Sequence, residues 1–192
     1  MSKQTSHRTS TQQGMVLITA LLLLIVVTIL AVGLFRSFGL DEKIAGNLRE
    51  KHRALNAAET AEQYAEWWLS QGNGTNGVPC AALQPTVATT TVCSNVIANA
   101  ATLPLPWTIG VNYIPAVPSL MNVTQAGGQD TYYFAPAFYI SYLGAAPGPV
   151  GTGTIYQIDA VGYAGSPDTA AVVESTYLIQ STTGCPTCNP EG

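Results

Sequence analysis

The sequence predicts an α+β fold in which a long N-terminal helix, transmembrane at first and amphipathic afterwards, packs on a small antiparallel β-sheet. Three observations support this fold: an apolar run over residues 15–35, a proline-free helical pattern that continues to residue 71, and three strand-like runs after residue 136. The predicted parts are a leader over residues 1–14, a helix over 15–71 and an exported, β-rich domain over 72–192.

The apolar run is long enough to cross a bilayer. No charged residue occurs between Arg8 and Arg36, and a helix over 15–35 spans about 31 Å at ~1.5 Å per residue, close to the ~30 Å hydrocarbon core. A cleaved secretory signal would have a shorter apolar core, of about 7–15 residues, followed by a small-residue cleavage site. We therefore expect a membrane anchor whose leader, basic through Lys3 and Arg8, stays in the cytoplasm while the rest is exported.

The helical pattern continues beyond the apolar run until the glycine-rich segment 72–77, which should end it. Gly33, Gly39 and Gly46 interrupt the pattern and indicate either local melting or close packing against other helices. A helix this long needs a bilayer, a bundle of partner helices, or both to cover its surface. The small and apolar residues that recur at helical spacing are Ile44, Leu48, Leu55, Ala58, Ala61, Ala65, Trp68 and Leu69.

Three runs are rich in β-branched and aromatic residues and are predicted to be strands, at 137–144, 153–165 and 170–180. The last two are joined by a turn signal at 165–168 and should form a hairpin. A weaker strand is expected within 106–114. One face of this sheet needs an apolar cover, which we expect from Leu55, Ala58, Ala65 and Trp68 of the long helix.

The chain has four cysteines, Cys80, Cys93, Cys185 and Cys188. An even number in an exported domain indicates two disulfides, for which three connectivities are possible. We favour the neighbours in sequence, Cys80–Cys93 and Cys185–Cys188, and the first pair would contribute about 3 kcal/mol by closing its loop. The second pair has the spacing of redox and zinc motifs. However, the redox motif normally opens a helix after a strand, whereas this pair lies four residues from the last residue and beside Pro190. A zinc site would need a second half near a histidine, which is lacking.

Charge and histidine content exclude several function classes. No lysine or arginine follows Arg53, so an acidic exported domain should not bind nucleic acid. The two histidines, His7 and His52, precede that domain, which leaves no Ser-His-Asp or Cys-His arrangement within it. No phosphate-loop or dinucleotide motif is present. We predict a protein that is not an enzyme and has no cofactor or metal. Its strand and turn acids are expected to be isolated on the surface: Asp130, Asp159, Asp168 and Glu174.

A basic leader that ends in Gly14, followed at once by an apolar helix from Met15 that runs into an exported domain, resembles the type IV pilins. The resemblance implies that a prepilin peptidase cleaves between Gly14 and Met15 and methylates the new N-terminus at Met15. Residues 42–69 are similar to the "AGN…R…A…AAE" helix signature of the PilX-type minor pilins. Residues 154–180 are similar to the closing strands of that family.

The resemblance of this chain to the PilX-type minor pilins implies a structural role in starting pilus assembly or in a complex at the pilus tip. The implied partners are other minor pilins and the major pilin, through the N-terminal helix, and a large tip adhesin. The implied location is the inner membrane, with the C-terminal domain in the periplasm, and then the pilus, at its tip. The alternatives are a type II secretion pseudopilin and a bitopic periplasmic protein without a filament role.

Two residues depart from the general pilin pattern. Most pilins have glutamate as the fifth residue of the mature chain, where this chain has Thr19, counting Met15 as the first. Met15 itself replaces the usual phenylalanine, which the peptidase is expected to tolerate. The Thr19 hydroxyl has no charge and is expected to bond a carbonyl three or four residues back on its own helix.

Overall fold

The computed structural model describes residues 13–115, 120–127, 130–146 and 153–180. They form two compact units, whose boundary in the sequence lies between Asn47 and Leu48. Helix α1, Gln13–Trp68, supplies all of the first unit and the beginning of the second. Residues 1–12 of the predicted leader lie outside the described residues, as do Cys185 and Cys188.

Helix α1 ends as the glycine-rich segment begins. After Trp68 one π-helical turn, Leu69–Asn73, follows, so helical structure ends slightly beyond the predicted residue 71. Gly72 has a φ of 85°, a left-handed conformation that glycine adopts without a steric penalty. The Asn73 side chain donates a hydrogen bond to the Trp68 carbonyl at 2.9 Å, which satisfies one of the carbonyls left free at the helix end.

The sheet has five strands in the order β1-β2-β3-β4-β5. Their bounds are Leu83–Gln84 for β1, Gly110–Asn112 for β2, Ala137–Ala146 for β3, Gly153–Tyr163 for β4 and Ala170–Gln180 for β5. β4 and β5 form the predicted hairpin and pair without a break from Gly153–Gln180 to Tyr163–Ala170. The strand expected within 106–114 is β2, which is shorter than the window predicted for it.

The strands predicted from the sequence pair antiparallel, whereas β1, which was not predicted, pairs with β2 in parallel. The other three pairings are antiparallel, so the sheet is mixed. The physical reason is the connection: the long segment between β1 and β2 acts as a crossover, which allows both strands to run in the same direction. Two residues are also too few for β1 to show any alternation in the sequence.

A stripe of small side chains on α1 covers one face of the sheet. Five alanines and Leu69 are almost fully buried there, at Ala54, Ala57, Ala58, Ala61 and Ala65. Of the four residues expected to form this cover, Ala58 and Ala65 are fully buried, whereas Leu55 and Trp68 are only half-buried. The small side chains let the helix approach β4 closely, and a Cβ on Gly162 would overlap the backbone of Ala54 and Ala58.

Strand β4 is buried on both of its faces. Tyr156, Ile158 and Ala160 face the helix, in a cluster that includes Ala61, Ala65 and Leu69. Val161 and Tyr163 belong to a second cluster on the opposite face, together with Cys93, Ile97 and Trp107. The sheet therefore lies between α1 and a second covering layer, residues 93–109, which we call the loop layer.

Glu50 and Arg53 of α1 tie two loops to the helix. Arg53 Nη1 lies 2.9 Å from Glu50 Oε1, its Nη2 donates to the Thr131 carbonyl at 2.6 Å, and the guanidinium lies 5.0 Å from the centre of the Tyr132 ring. Glu50 Oε2 accepts a hydrogen bond from the Gly165 N–H at 2.9 Å. Burial by itself would raise the pKa of Glu50, but these hydrogen bonds and the positive charge of Arg53 hold that pKa below its usual value.

Candidate functional site

The predicted cleavage boundary lies within the described part of α1. Gln13, Gly14 and Met15 are helical, and the Met15 side chain is exposed. A Cβ placed on Gly14 would meet no atom within 4 Å. A glycine inside a helix is about 1 kcal/mol less favourable than alanine. The fold of the described residues therefore supplies no reason for a glycine at position 14.

Thr19 lies one helical turn after this boundary. Its hydroxyl is 3.1 Å from the Met15 carbonyl and 3.0 Å from the Val16 carbonyl, so it donates back to its own helix. This confirms the expectation that the polar group of Thr19 is satisfied locally. Thr28 behaves in the same way, with its hydroxyl 2.8 Å from the Ile25 carbonyl. Neither threonine brings a charge or an unpaired polar group to the apolar surface of the helix.

Residues 15–35 of the first unit present an almost continuous apolar surface. Within the described residues one helix is long and apolar enough to cross a membrane, with a mean hydropathy of 3.2 over 18 residues, and none of that window is buried within the protein. Large exposed side chains include Leu17, Leu23, Ile29 and Phe35. A surface of this kind is covered either by lipid or by other apolar helices. The segment is therefore a candidate membrane anchor and a candidate helix-packing surface.

A short ladder attaches the loop layer to β3, and a disulfide joins the first residue of the layer to Cys80. Cys80 and Cys93 are joined, with their Cα atoms 5.5 Å apart, which agrees with the pairing favoured from the sequence. Cys93 N–H donates to the Ile140 carbonyl at 2.7 Å, and Tyr142 N–H donates to the Cys93 carbonyl at 2.8 Å. The second expected pair, Cys185–Cys188, lies outside the described residues.

Three polar side chains of the sheet hold the backbone of the loop layer. The Tyr139 hydroxyl donates to the Asn95 carbonyl at 2.7 Å. The Gln157 amide donates to the Ile97 carbonyl at 3.1 Å. The Tyr163 hydroxyl accepts from the Trp107 N–H at 2.9 Å. These contacts were not predicted from the sequence. The only signal for them there is that amide and phenol groups interrupt otherwise apolar strands.

Asp159 is fully buried, which contradicts the expectation that it is a surface acid. It lies on the β4 face that the loop layer covers, and both of its carboxylate oxygens are 3.1 Å from the Gln157 amide nitrogen. Burial raises the pKa of Asp159 to about 6; the Gln157 hydrogen bond opposes this shift, and the negative charge of Glu174 adds to it. The sequence could not show this burial, because it follows from the loop layer covering the second face of β4.

We expect Asp159→Asn to stabilise the protein at pH 7.5. The folded protein binds the Asp159 proton more tightly than the unfolded chain does, because the pKa rises from 3.8 to about 6. The stability that this proton confers is present below pH ~4 and is lost as the pH rises through ~6. At pH 7.5 the free energy of unfolding of the variant should be larger by roughly 1–3 kcal/mol, so the variant should unfold at a higher temperature. The difference from the unaltered chain should vanish near pH 4.

This expectation can be measured by thermal unfolding of the detergent-solubilised chain at both pH values, followed by tryptophan fluorescence. Asp168→Asn is the matched control, because Asp168 is exposed in the β4–β5 turn and the change in charge is the same. A lower melting temperature for Asp159→Asn at both pH values would show that the carboxylate is needed for its hydrogen bond with Gln157 rather than destabilising through its charge.

The remaining candidate acids do not form a site. Asp130 pairs with Arg49 at 3.3 Å on the surface, Asp168 is exposed, and Glu174 is exposed on β5. Among residues 13–115, 120–127, 130–146 and 153–180, no three His, Cys, Asp or Glu side chains are grouped so that they could hold a metal ion. His52 is exposed on α1.

A long helix that is apolar at its start, whose later part packs on a small five-stranded sheet, defines a pilin-like α+β protein. Residues 13–61 match the family model described as PilX N-terminal. This match shows that the N-terminal segment is similar to that of the PilX-type pilins. Residues 62–192 lie outside the match. No curated protein and no solved structure matches the chain.

Proposed function

We propose that this chain is a minor pilin that takes part in starting type IV pilus assembly and in forming the complex at the pilus tip. The proposal depends chiefly on Thr19, whose hydroxyl is satisfied by Met15 and Val16 in a segment that matches the PilX N-terminal family. The chain would first sit in the inner membrane through residues 15–35, with its C-terminal domain in the periplasm. It would then join the filament through the apolar surface of α1.

Processing comes first in this mechanism. A prepilin peptidase would cut after Gly14 and methylate the amine of Met15. The exposed, contact-free position of Gly14 supports this step, because the glycine serves no purpose in the described fold. After cleavage, the helical part of residues 15–35 has a single charge, the terminal amine, so it can pass from lipid into a bundle of similar helices.

The position in the filament follows from the fifth mature residue. In ordinary pilins, the carboxylate there neutralises the terminal amine of a neighbouring subunit, and an unpaired charge in apolar surroundings costs several kcal/mol. Thr19 has no charge with which to neutralise the amine of a subunit ahead of it. The amine of this chain can still be neutralised by the glutamate of a subunit behind it. One-sided pairing suits a subunit with nothing ahead of it, which is the tip.

Immunogold labelling of isolated pili tests this proposal. We expect gold at one end of each filament, and we expect Thr19→Glu to add gold along the shaft, because the new carboxylate can neutralise a subunit ahead. Thr28→Glu is the matched control, since it adds the same charge elsewhere on the apolar helix, and it should not enter the shaft. Gold along the shafts of pili with the unaltered chain would contradict the tip position, and pili without gold would contradict a role in the filament.

A further inference from the structure

Strand β5 is the outer strand of the sheet within the described part of the chain. Its eleven residues, Ala170–Gln180, pair with β4 without a bulge, so the opposite edge is long and regular. Outer strands are usually protected from further pairing by proline, lysine, bulges or short length. β5 has none of these, and its only charged residue is Glu174.

A groove lies between the start of β5 and the adjacent part of α1. Its cavity volume is about 400 Å³, and Leu48 and Leu55 give it an apolar floor. Ala171 is on the helix-facing side of β5, as the partly buried Val173 and Ile179 are, and its small side chain leaves the groove open. The complete lining is Leu48, Lys51, His52, Leu55 and residues 170–172.

The rim of this groove is cationic. Lys51 is exposed, and no ion pair of Lys51 occurs among the described residues, whereas Arg49 and Arg53 pair with Asp130 and Glu50. His52 lies beside Lys51 on the same rim and is also exposed. The described residues of the domain after Arg53 contain no positively charged side chain, so the charge of Lys51 is the feature that selects an occupant at this edge.

We infer that the free edge of β5 docks an extended segment of a different protein, which adds a sixth strand antiparallel to β5. The backbone of that segment would bond the outward amides and carbonyls of β5. One large apolar side chain would fill the groove between Leu48 and Leu55, and an acidic side chain close to it would pair with Lys51. This is strand addition, in which main-chain bonds provide affinity and side-chain pockets provide specificity.

A second copy of this chain fits the edge poorly. Antiparallel pairing of two β5 strands about a two-fold axis would place the two α1 helices in opposite directions. Under the proposed function, on which this one step rests, all subunits of the filament have their helices in the same direction. The other edge of the sheet offers only the two residues of β1, which is too short for head-to-tail addition.

A synthetic peptide tests the inference on the full chain in detergent. The probe is Thr-Val-Thr-Phe-Thr-Asp-Thr-Val, fluorescently labelled, in which the phenylalanine and aspartate lie on the same face of an extended strand; its binding is followed by anisotropy. We expect saturable binding of this peptide, because its main chain can bond β5 and its side chains can fill the groove. A version of this peptide with N-methyl groups on every second amide, the ones that face β5, should bind at least tenfold more weakly. It cannot donate hydrogen bonds to the β5 carbonyls.

Charge reversal gives the decisive comparison. Lys51→Glu should weaken binding of the aspartate peptide about tenfold. A peptide in which lysine replaces the aspartate should bind the Lys51→Glu variant more tightly than it binds the unaltered chain. Lys43→Glu is the control, because Lys43 is also exposed on α1 but does not line the groove. Ala171→Trp, which fills the groove, should abolish binding of both peptides.

Hydrogen exchange identifies the edge that is used. Peptide addition should slow exchange of amides within β5 and leave β2 unchanged. Binding that is insensitive to N-methylation or to Lys51→Glu would overturn the inference. It would also be overturned if the β5 amides were already protected without peptide. Protection at every protein concentration would indicate pairing with residues 181–192, and protection only at high protein concentration would indicate a second copy. These results do not depend on immunogold position, so the two proposals can fail separately.

Discussion

Gly14→Val is expected to leave the chain at its full length, with its leader attached, in the inner membrane. Valine has a β-branched side chain, and the resemblance to type IV pilins implies that the peptidase accepts only a residue without a bulky side chain before the cut. The described structure has open space around Gly14, so the substitution should not disturb the fold. Immunoblotting of membrane fractions and mass spectrometry of the N-terminus would measure the loss of the product that begins at methylated Met15.

Gly33→Val is the matched control for this experiment. Gly33 is also helical, and a Cβ placed on it would also meet no atom within 4 Å, so the same side chain enters the same helix without reaching the cleavage boundary. The control should be processed normally. A Gly14→Val chain that still matures to a Met15 terminus would remove the main support for the processing step.

Gly162→Ala is expected to destabilise the second unit by at least ~1–3 kcal/mol, the usual range for overpacking a close contact. The added methyl group would overlap the backbone of Ala54 and Ala58, and backbone atoms cannot move aside as a flexible side chain can. The helix would have to move away from β4, which would separate Ala58 and Ala61 from the sheet. Thermal unfolding of the detergent-solubilised chain should show a melting temperature lower by roughly 5–10 °C.

Gly46→Ala makes the same chemical change at an open position, and we expect no loss of stability there. Gly46 lies inside α1 with nothing within 4 Å of an added Cβ, so alanine should be neutral or stabilise the helix by about 1 kcal/mol. If Gly162→Ala were as stable as the unaltered chain, the helix would not pack on β4 as closely as described.

Several features could be predicted because their signals are local. The apolar run over 15–35, the helix end near Gly72 and the β4–β5 hairpin each depend on the character or period of adjacent residues. The β5 alternation is an example: Val173, Tyr177 and Ile179 pack against the helix-side core, while Glu174, Thr176 and Leu178 are exposed. The Cys80–Cys93 pairing was favoured for a similar reason, since the two residues are close in sequence.

The sequence alone determined three features of this protein: an apolar helix that follows the Gly14–Met15 boundary, a small β-rich domain after it, and threonine rather than a carboxylate at position 19. Only the tertiary structure decided what covers the second face of β4. The loop layer has no periodic pattern, so its contacts with Tyr139, Gln157 and Tyr163 join residues that are 44 to 60 positions apart. Burial of Asp159, the parallel pairing of β1 and the approach of α1 to Gly162 all depend on such distant partners, because the environment of a side chain is set by what folds over it rather than by its neighbours in sequence.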